Sequence, residues 1–257
     1  MSELPEFPPL YRPFAVTPEL DPFERCLKIA ADGAEAGTLL WSIGQEACEC
    51  AVVLAPEQSL EASLPVVLIA MLALGDALGS LVPPLVAVTF GWPDRIEVNG
   101  RVVGGVRMAS APSNVPSGPP EWLVIGFGIA LRPPSPEGEP GEHGHRTTLA
   151  DEGCGEVGTV DLLEAFARHF LAWINRWQED GVGPVVRAWM SRATGLGKPV
   201  EIEVGGHKRQ GTFTGLAESG AMRLVKDGVT QTISLDEAIR GPSWSVWRGA
   251  RPPTGPA

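Results

Sequence analysis

The stretch FGWPDRIEVNGRVVGGVRMAS, residues 90–110, decides how this chain folds. An apolar run leads into Phe90 and breaks at Gly91, and a second run begins at Ile96. Asn99-Gly100 between alternating runs is a strong hairpin signal, because a two-residue turn of that kind needs positive φ at both positions. The second arm carries Gly104-Gly105, and glycine inside a strand marks a bulge or the close approach of a backbone or ligand. The same device returns in EWLVIGFGIAL, residues 121–131, where Gly126 and Gly128 interrupt another apolar strand.

Working outward toward the N-terminus, Phe23, Cys26, Leu27 and Ala30 stand at helical spacing after Asp21, and the pattern stops at glycine. GTLLWSI (37–43) and ECAVVLAPE (49–57) read as two short strands joined by a brief turn. The apolar run from Leu64 to Val88 is long enough to raise a membrane span. It contains Asp76, Gly75, Gly79 and Pro83-Pro84, so it reads as a buried helix ending at Gly79, with Asp76 capping a buried donor. The first fourteen residues read as an extended, proline-rich arm and carry no secretory pattern.

Toward the C-terminus, residues 110–120 and 133–156 read as loops, the second long and mobile. VDLLEAFARHFLAWINRWQEDG (160–181) is an amphipathic helix, and GPVVRAWMSRAT (183–194) is a second. From Lys198 to Ile239, period-2 runs are punctuated by Gly205-Gly206, Ser219-Gly220 and Asp227-Gly228. Short strands with tight turns predict a small β-barrel packing on the larger domain through Phe213 and Leu224. The division expected is 1–196, 197–245 and a disordered tail, 246–257.

A net charge of −11 without a basic run argues against nucleic acid and anionic membranes as partners. Four cysteines without framework spacing suit the cytoplasm. Cys48 and Cys50 with His143 and His145 offer zinc-type ligands. Alternation instead places both cysteines on one core face of a strand, and no metal is expected.

Trp92-Pro93 after a strand, Arg101-Val102-Val103-Gly104-Gly105-Val106, and Gly126-Phe127-Gly128-Ile129 together resemble the biotin/lipoate–protein ligase family. The resemblance spans roughly residues 21–239. It implies an α+β fold, with a catalytic domain like that of class II aminoacyl-tRNA synthetases followed by an SH3-like barrel. It also implies ATP-dependent activation of a biotin- or lipoate-like acid as an acyl-adenylate, then transfer to a lysine of an acceptor carrier protein. A homodimer through exposed strand edges is a further implication.

The sequence departs from that pattern where charge is needed. The positions that carry lysine in the family are Gly91 and Val102, its asparagine is Asp94, and its acid is Arg95. The family's arginine-rich loop has no counterpart between Trp41 and Ala51. Trp92, Arg95, Arg101, Gly104, Gly105, Gly126 and Gly128 are therefore the candidate ligand-binding set, with no catalytic residue assigned. Arg95 and Arg101 are candidates for a metal-free site for a carboxylate or adenylate-like ligand, against the plainer reading of solvated arginines. Strand alternation sends Val106 and Arg107 to opposite faces, so Arg107 is not expected to join them. A pocket bordered by Trp92, Gly105 and Gly126 is either open with convergent donors, which favours ligand binding, or filled by Val102, Leu131 or Phe127, which favours a scaffold; a non-catalytic module that senses a cofactor or docks onto a carrier protein is the competing reading.

Overall fold

The computed structural model describes residues 4–44, 46–112, 118–133, 146–241 and 243–244. Among them the first domain runs β1 (Arg12–Val16), α1 (Pro22–Ala31), β2 (Thr38–Ile43), β3 (Ala47–Leu54), α2 (Leu60–Ser63) and α3 (Val66–Leu81). It continues through β4 (Val88–Gly91), β5 (Arg95–Val98), β6 (Arg101–Ser110), β7 (Leu123–Ala130), α4 (Thr159–Asp180) and α5 (Gly183–Met190). The small domain is β8 (Pro199–Val204), β9 (His207–Leu216), β10 (Met222–Lys226), β11 (Val229–Ile233) and α6 (Leu235–Ala238).

Seven strands form one sheet in the order β1-β2-β3-β7-β6-β5-β4, all neighbours antiparallel except β1 with β2. The Asn99-Gly100 turn joins β5 to β6 with φ of 51° and 80°, as the sequence predicts. The N-terminal arm supplies β1, which the sequence reading did not anticipate; proline spacing hides a strand that lies at the sheet edge, where missing N–H groups are tolerated.

α3 is apolar all round and is accordingly buried on nearly every side. Leu60–Leu81 is long and apolar enough to cross a membrane by composition, but most of it is enclosed by the protein. The helix runs two residues past the expected stop at Gly79. Gly75, one of its apparent breakers, is a packing site: a Cβ there would lie 2.6 Å from the Phe90 ring. Asp76 accepts from Trp173 Nε1 at 2.8 Å and from Arg192 at 2.6 Å; the donors it serves are partly rather than fully buried, and it joins α3 to α4 and to the segment after α5.

The 133–156 loop also differs from expectation in its described part. Leu149 and Cys154 are buried, and Thr147 and Leu149 donate backbone bonds to Val102 and Ala130, because this segment covers the ends of β6 and β7.

β8 to β11 pair as an antiparallel meander, and no pairing of β8 with β11 closes it among the described residues. Phe213 and Leu224 are fully buried and belong to the same apolar cluster as α3 and Trp189. Trp92, joined to Pro93 by a cis peptide bond, donates from Nε1 to the Gly220 carbonyl at 2.9 Å, tying the β4–β5 turn to the small domain. The expected tail from 246, and His143 and His145, lie outside the described residues.

One contact fixes how β6 meets β7. Gly104 has φ of 156°, and a Cβ on it would stand 1.9 Å from the Gly128 carbonyl oxygen. Gly104→Ala must therefore displace β7 or break the pairing, at a cost of about 3 kcal/mol or more. Urea unfolding of the variant is expected to show a lower midpoint with an unchanged slope.

Candidate functional site

The two faces of the large sheet are covered differently. Val106, Ile125, Phe127, Ile129, Cys48, Cys50 and Val52 point to the α3–α4 side and form its core. Alternation turns their neighbours to the α1 side, where Ala51, Val53 and Val124 pack with Phe23, Cys26 and Ala30. On that second face the register places Gly105 opposite Gly128, Arg107 opposite Gly126, and Glu49 opposite Gly128 on the far side. A strip without side chains thus crosses β6 and β7, bordered by buried Glu49 and by Arg107.

The strip is filled by the protein's own side chains. A Cβ on Gly126 would lie 2.7 Å from the ring of Phe23, which α1 holds in place. A Cβ on Gly105 would lie 2.5 Å from Trp244 Nε1 and 2.1 Å from the Asp94 carbonyl oxygen. Trp244 is buried, and its Nε1–H donates to the Val106 carbonyl at 2.9 Å.

Between the two rings lies an ion pair. Arg107 donates to both oxygens of Asp21, at 2.9 and 3.0 Å, and its guanidinium stands 4.7 Å from the Phe23 ring and 5.8 Å from Trp244. Asp21 also caps α1 by accepting from Phe23 N at 2.9 Å. A bidentate, partly buried pair of this kind holds its geometry better than a surface ion pair.

Asp94 is the buried acid of the site. The backbone N–H of Ser243 donates to it at 2.9 Å, and the Ser243 hydroxyl donates to its other oxygen. Burial pushes its carboxyl up to about 6, against the lowering effect of the Ser243 bonds and of Arg95. Arg95 stands opposite Gly105 and Gly91, its Nε buried without a hydrogen-bond partner. Its guanidinium and the buried Glu97 carboxylate together fill the space a side chain at position 91 would take, Arg95 Nε 2.8 Å and Glu97 Oε1 2.7 Å from where that Cβ would be.

The candidate set separates under this geometry. Gly105, Gly126 and Gly128 share the strip, and Arg95 lies at its margin. Gly104 is required by the backbone of β7. Trp92 turns to the core and the small domain. Arg101 is drawn away, donating to the Arg146 carbonyl at 3.2 Å and lying 3.8 Å from Glu152. The arginine that does face the strip is Arg107, because alternation that excludes Val106 includes its neighbour. Neither Phe127 nor Leu131 fills the strip, since both belong to the core on the other side. Cys48 and Cys50 share a core face as expected, and burial raises both thiols. Among the described residues no three His, Cys, Asp or Glu side chains converge on a metal site.

The biotin/lipoate A/B protein ligase family model matches residues 7–191. The chain belongs to that family. It is 30% identical over 190 residues to a biotin–[acetyl-CoA-carboxylase] ligase of Paracoccus denitrificans, covering 74% of this chain and 78% of the ligase. A solved biotin protein ligase-like protein of unknown function from Silicibacter sp. superposes with a TM-score of 0.82 at 34% identity, over 92% of this chain and 99% of that one. The biotin protein ligase of Aquifex aeolicus in complex with biotin and ATP shares the fold, with a TM-score of 0.67 at 20% identity over 88% and 97% of the two chains.

Within this ligase-family fold, sequence reasoning missed Asp21, Phe23, Glu49, Arg107, Ser243 and Trp244. A lone acid in the apolar strand ACECAVVL was a usable signal for Glu49. Nothing local marks Trp244, which reaches the strip only through the path of the chain.

The raised pKa of Asp94 has a definite sign in stability. A carboxyl that is harder to ionise when folded adds stability below its ordinary value near 4, and that contribution is lost as pH rises through about 6. The shift corresponds to about 3 kcal/mol. Asp94→Asn, a neutral isostere able to accept from Ser243, removes this dependence. Urea unfolding at pH 4 and pH 7 should show the variant gaining about 2 kcal/mol on the wild type between the two, since at pH 4 part of the contribution is already lost.

Proposed function

We propose that this chain is a non-ligating member of the biotin/lipoate ligase family that binds and senses a small carboxylic acid. The observation that carries the loss of ligation is the occupied glycine strip, where Phe23 on Gly126 and Trp244 on Gly105 stand where an acyl group would need open backbone; the unpartnered Nε of Arg95 at its margin is the cation left for a carboxylate. Two features of the sequence support it. Gly91 and Val102 occupy the positions at which the resemblance calls for lysine, and the sequence between Trp41 and Ala51 has no arginine-rich loop. Acyl-adenylate formation concentrates negative charge on phosphate, and loss of one preorganised donor costs about 2.7–4 kcal/mol. Losing several at once leaves the activation of biotin or lipoate by ATP without its electrostatic support.

Retained ligase activity is the second reading, favoured by the 30% identity to the Paracoccus ligase. It requires another cation, and Arg95 is the residue positioned for it, its guanidinium lying in the space vacated at Gly91. On this reading the partner is an acceptor carrier protein.

Biotin-dependent exchange of pyrophosphate into ATP separates the two. At micromolar biotin, exchange is expected to be at least about a thousandfold slower than that of the Paracoccus relative measured alongside. Rapid exchange abolished by Arg95→Ala would establish the ligase reading instead.

A further inference from the structure

The small domain meets the large one tightly at one point and stands off it at another. Gly220, in the β9–β10 turn, is wedged between α6 and α3: a Cβ there would lie 2.7 Å from a methyl group of Leu235 and 3.4 Å from one of Leu68. One turn further along the chain the contact opens. Between Ile239, Leu60 at the start of α2 and Met108 of β6 lies a cavity of about 240 Å³. β6 ends there in Ala109 and Ser110, whose short side chains leave the space unfilled. Leu60, Met108 and Ile239 all pack with the α3 cluster, so the cavity lies on the other side of the sheet from the glycine strip.

Two kinds of surface line it. Leu60, Met108 and Ile239 give an apolar floor, and Asp236 and Arg240 stand together beside that floor. Arg240 donates to Oδ2 of Asp236 at 2.6 Å, which leaves Oδ1 and the other guanidinium donors without a hydrogen bond among the described residues. An exposed pair of this kind is weakly held, and each member has capacity for a second partner without leaving the first. A ligand with a single charge would satisfy one member and meet the like charge of the other close by. A zwitterion avoids that repulsion. Its ammonium faces Asp236, its carboxylate faces Arg240, and the four charges alternate in sign. The volume lies just below the range of about 300–1,000 Å³ of sites for drug-sized ligands, so the apolar part that rests on the floor is small.

We infer that this cavity between the domains is a binding site for a small apolar amino acid, with Asp236 and Arg240 taking its two charges and Leu60, Met108 and Ile239 its side chain. One wall belongs to α2 and β6 of the large domain and the other to α6 and the turn after it, so an occupied cavity bridges the two domains. The inference is independent of the acid proposed for the glycine strip.

Calorimetry on the full chain tests it with three probes of similar apolar bulk: leucine, 4-methylpentanoate, which lacks the amine, and 3-methylbutylamine, which lacks the carboxylate. Leucine is expected to bind at least tenfold more tightly than either analogue. Arg240→Ala and Asp236→Ala should each weaken leucine binding at least tenfold, and Arg240→Lys should recover part of the loss. Both side chains are largely in solvent, at 74% and 39% exposure, so these variants keep the fold. Ser110→Phe, which fills the cavity, should abolish leucine binding. Absence of leucine binding to the wild type at millimolar concentration would overturn the site. Equal affinity for leucine and either analogue would overturn recognition by the ion pair, and with it the proposal. Leucine affinity unchanged in Arg240→Ala and Asp236→Ala would place binding elsewhere and overturn it too, whether or not Ser110→Phe folds.

Discussion

A sheet face that carries no side chains must be covered by something, and this requirement organises the protein. Gly105, Gly126 and Gly128 leave bare backbone across β6 and β7 on the α1 side. Water would solvate such a strip in an open cleft, and a ligand would cover it in a working binding site. Here the strip is covered by Phe23 from one end of the domain and by Trp244 from beyond the small domain. The Asp21–Arg107 pair sits between the rings and links the cap of α1 to β6.

That arrangement couples the two domains at more than one point. Trp92 reaches Gly220 on the core side, and Ser243 reaches Asp94 on the strip side. The β4–β5 turn, which holds Trp92, Pro93 and Asp94, is therefore gripped from both faces by the C-terminal part of the chain. A change in occupancy of the strip would be felt at Asp94, whose buried carboxyl is held by Ser243. Asp94 is an ionisable group at the position where the resemblance implies a neutral asparagine.

Much of the fold was legible in the sequence. The Asn99-Gly100 hairpin, the buried helix with its single acid Asp76, the paired C-terminal helices and the short strands with three glycine turns all follow from local chemistry. β1 was not legible, because an edge strand needs little of the usual pattern. The site was readable only in part. Glycines in strands announced a bare surface, but they could not say which face Arg101 or Arg107 would share with them until the register was known. Gly104 and Gly105 are adjacent and alike in sequence, yet one answers to the β7 backbone and the other to a tryptophan 139 residues later. A contact at that separation leaves no local trace.

The central claim is that the glycine strip is occupied from within, and proton NMR of the wild-type chain tests it most directly. Nuclear Overhauser contacts should join the Trp244 ring protons to the Gly105 Hα protons and the Phe23 ring to those of Gly126, since each pair lies within van der Waals range. The account predicts both sets of contacts in the ligand-free protein. Absence of both, with the Gly105 and Gly126 amide signals shifting at micromolar biotin, would show an open acyl pocket and contradict it.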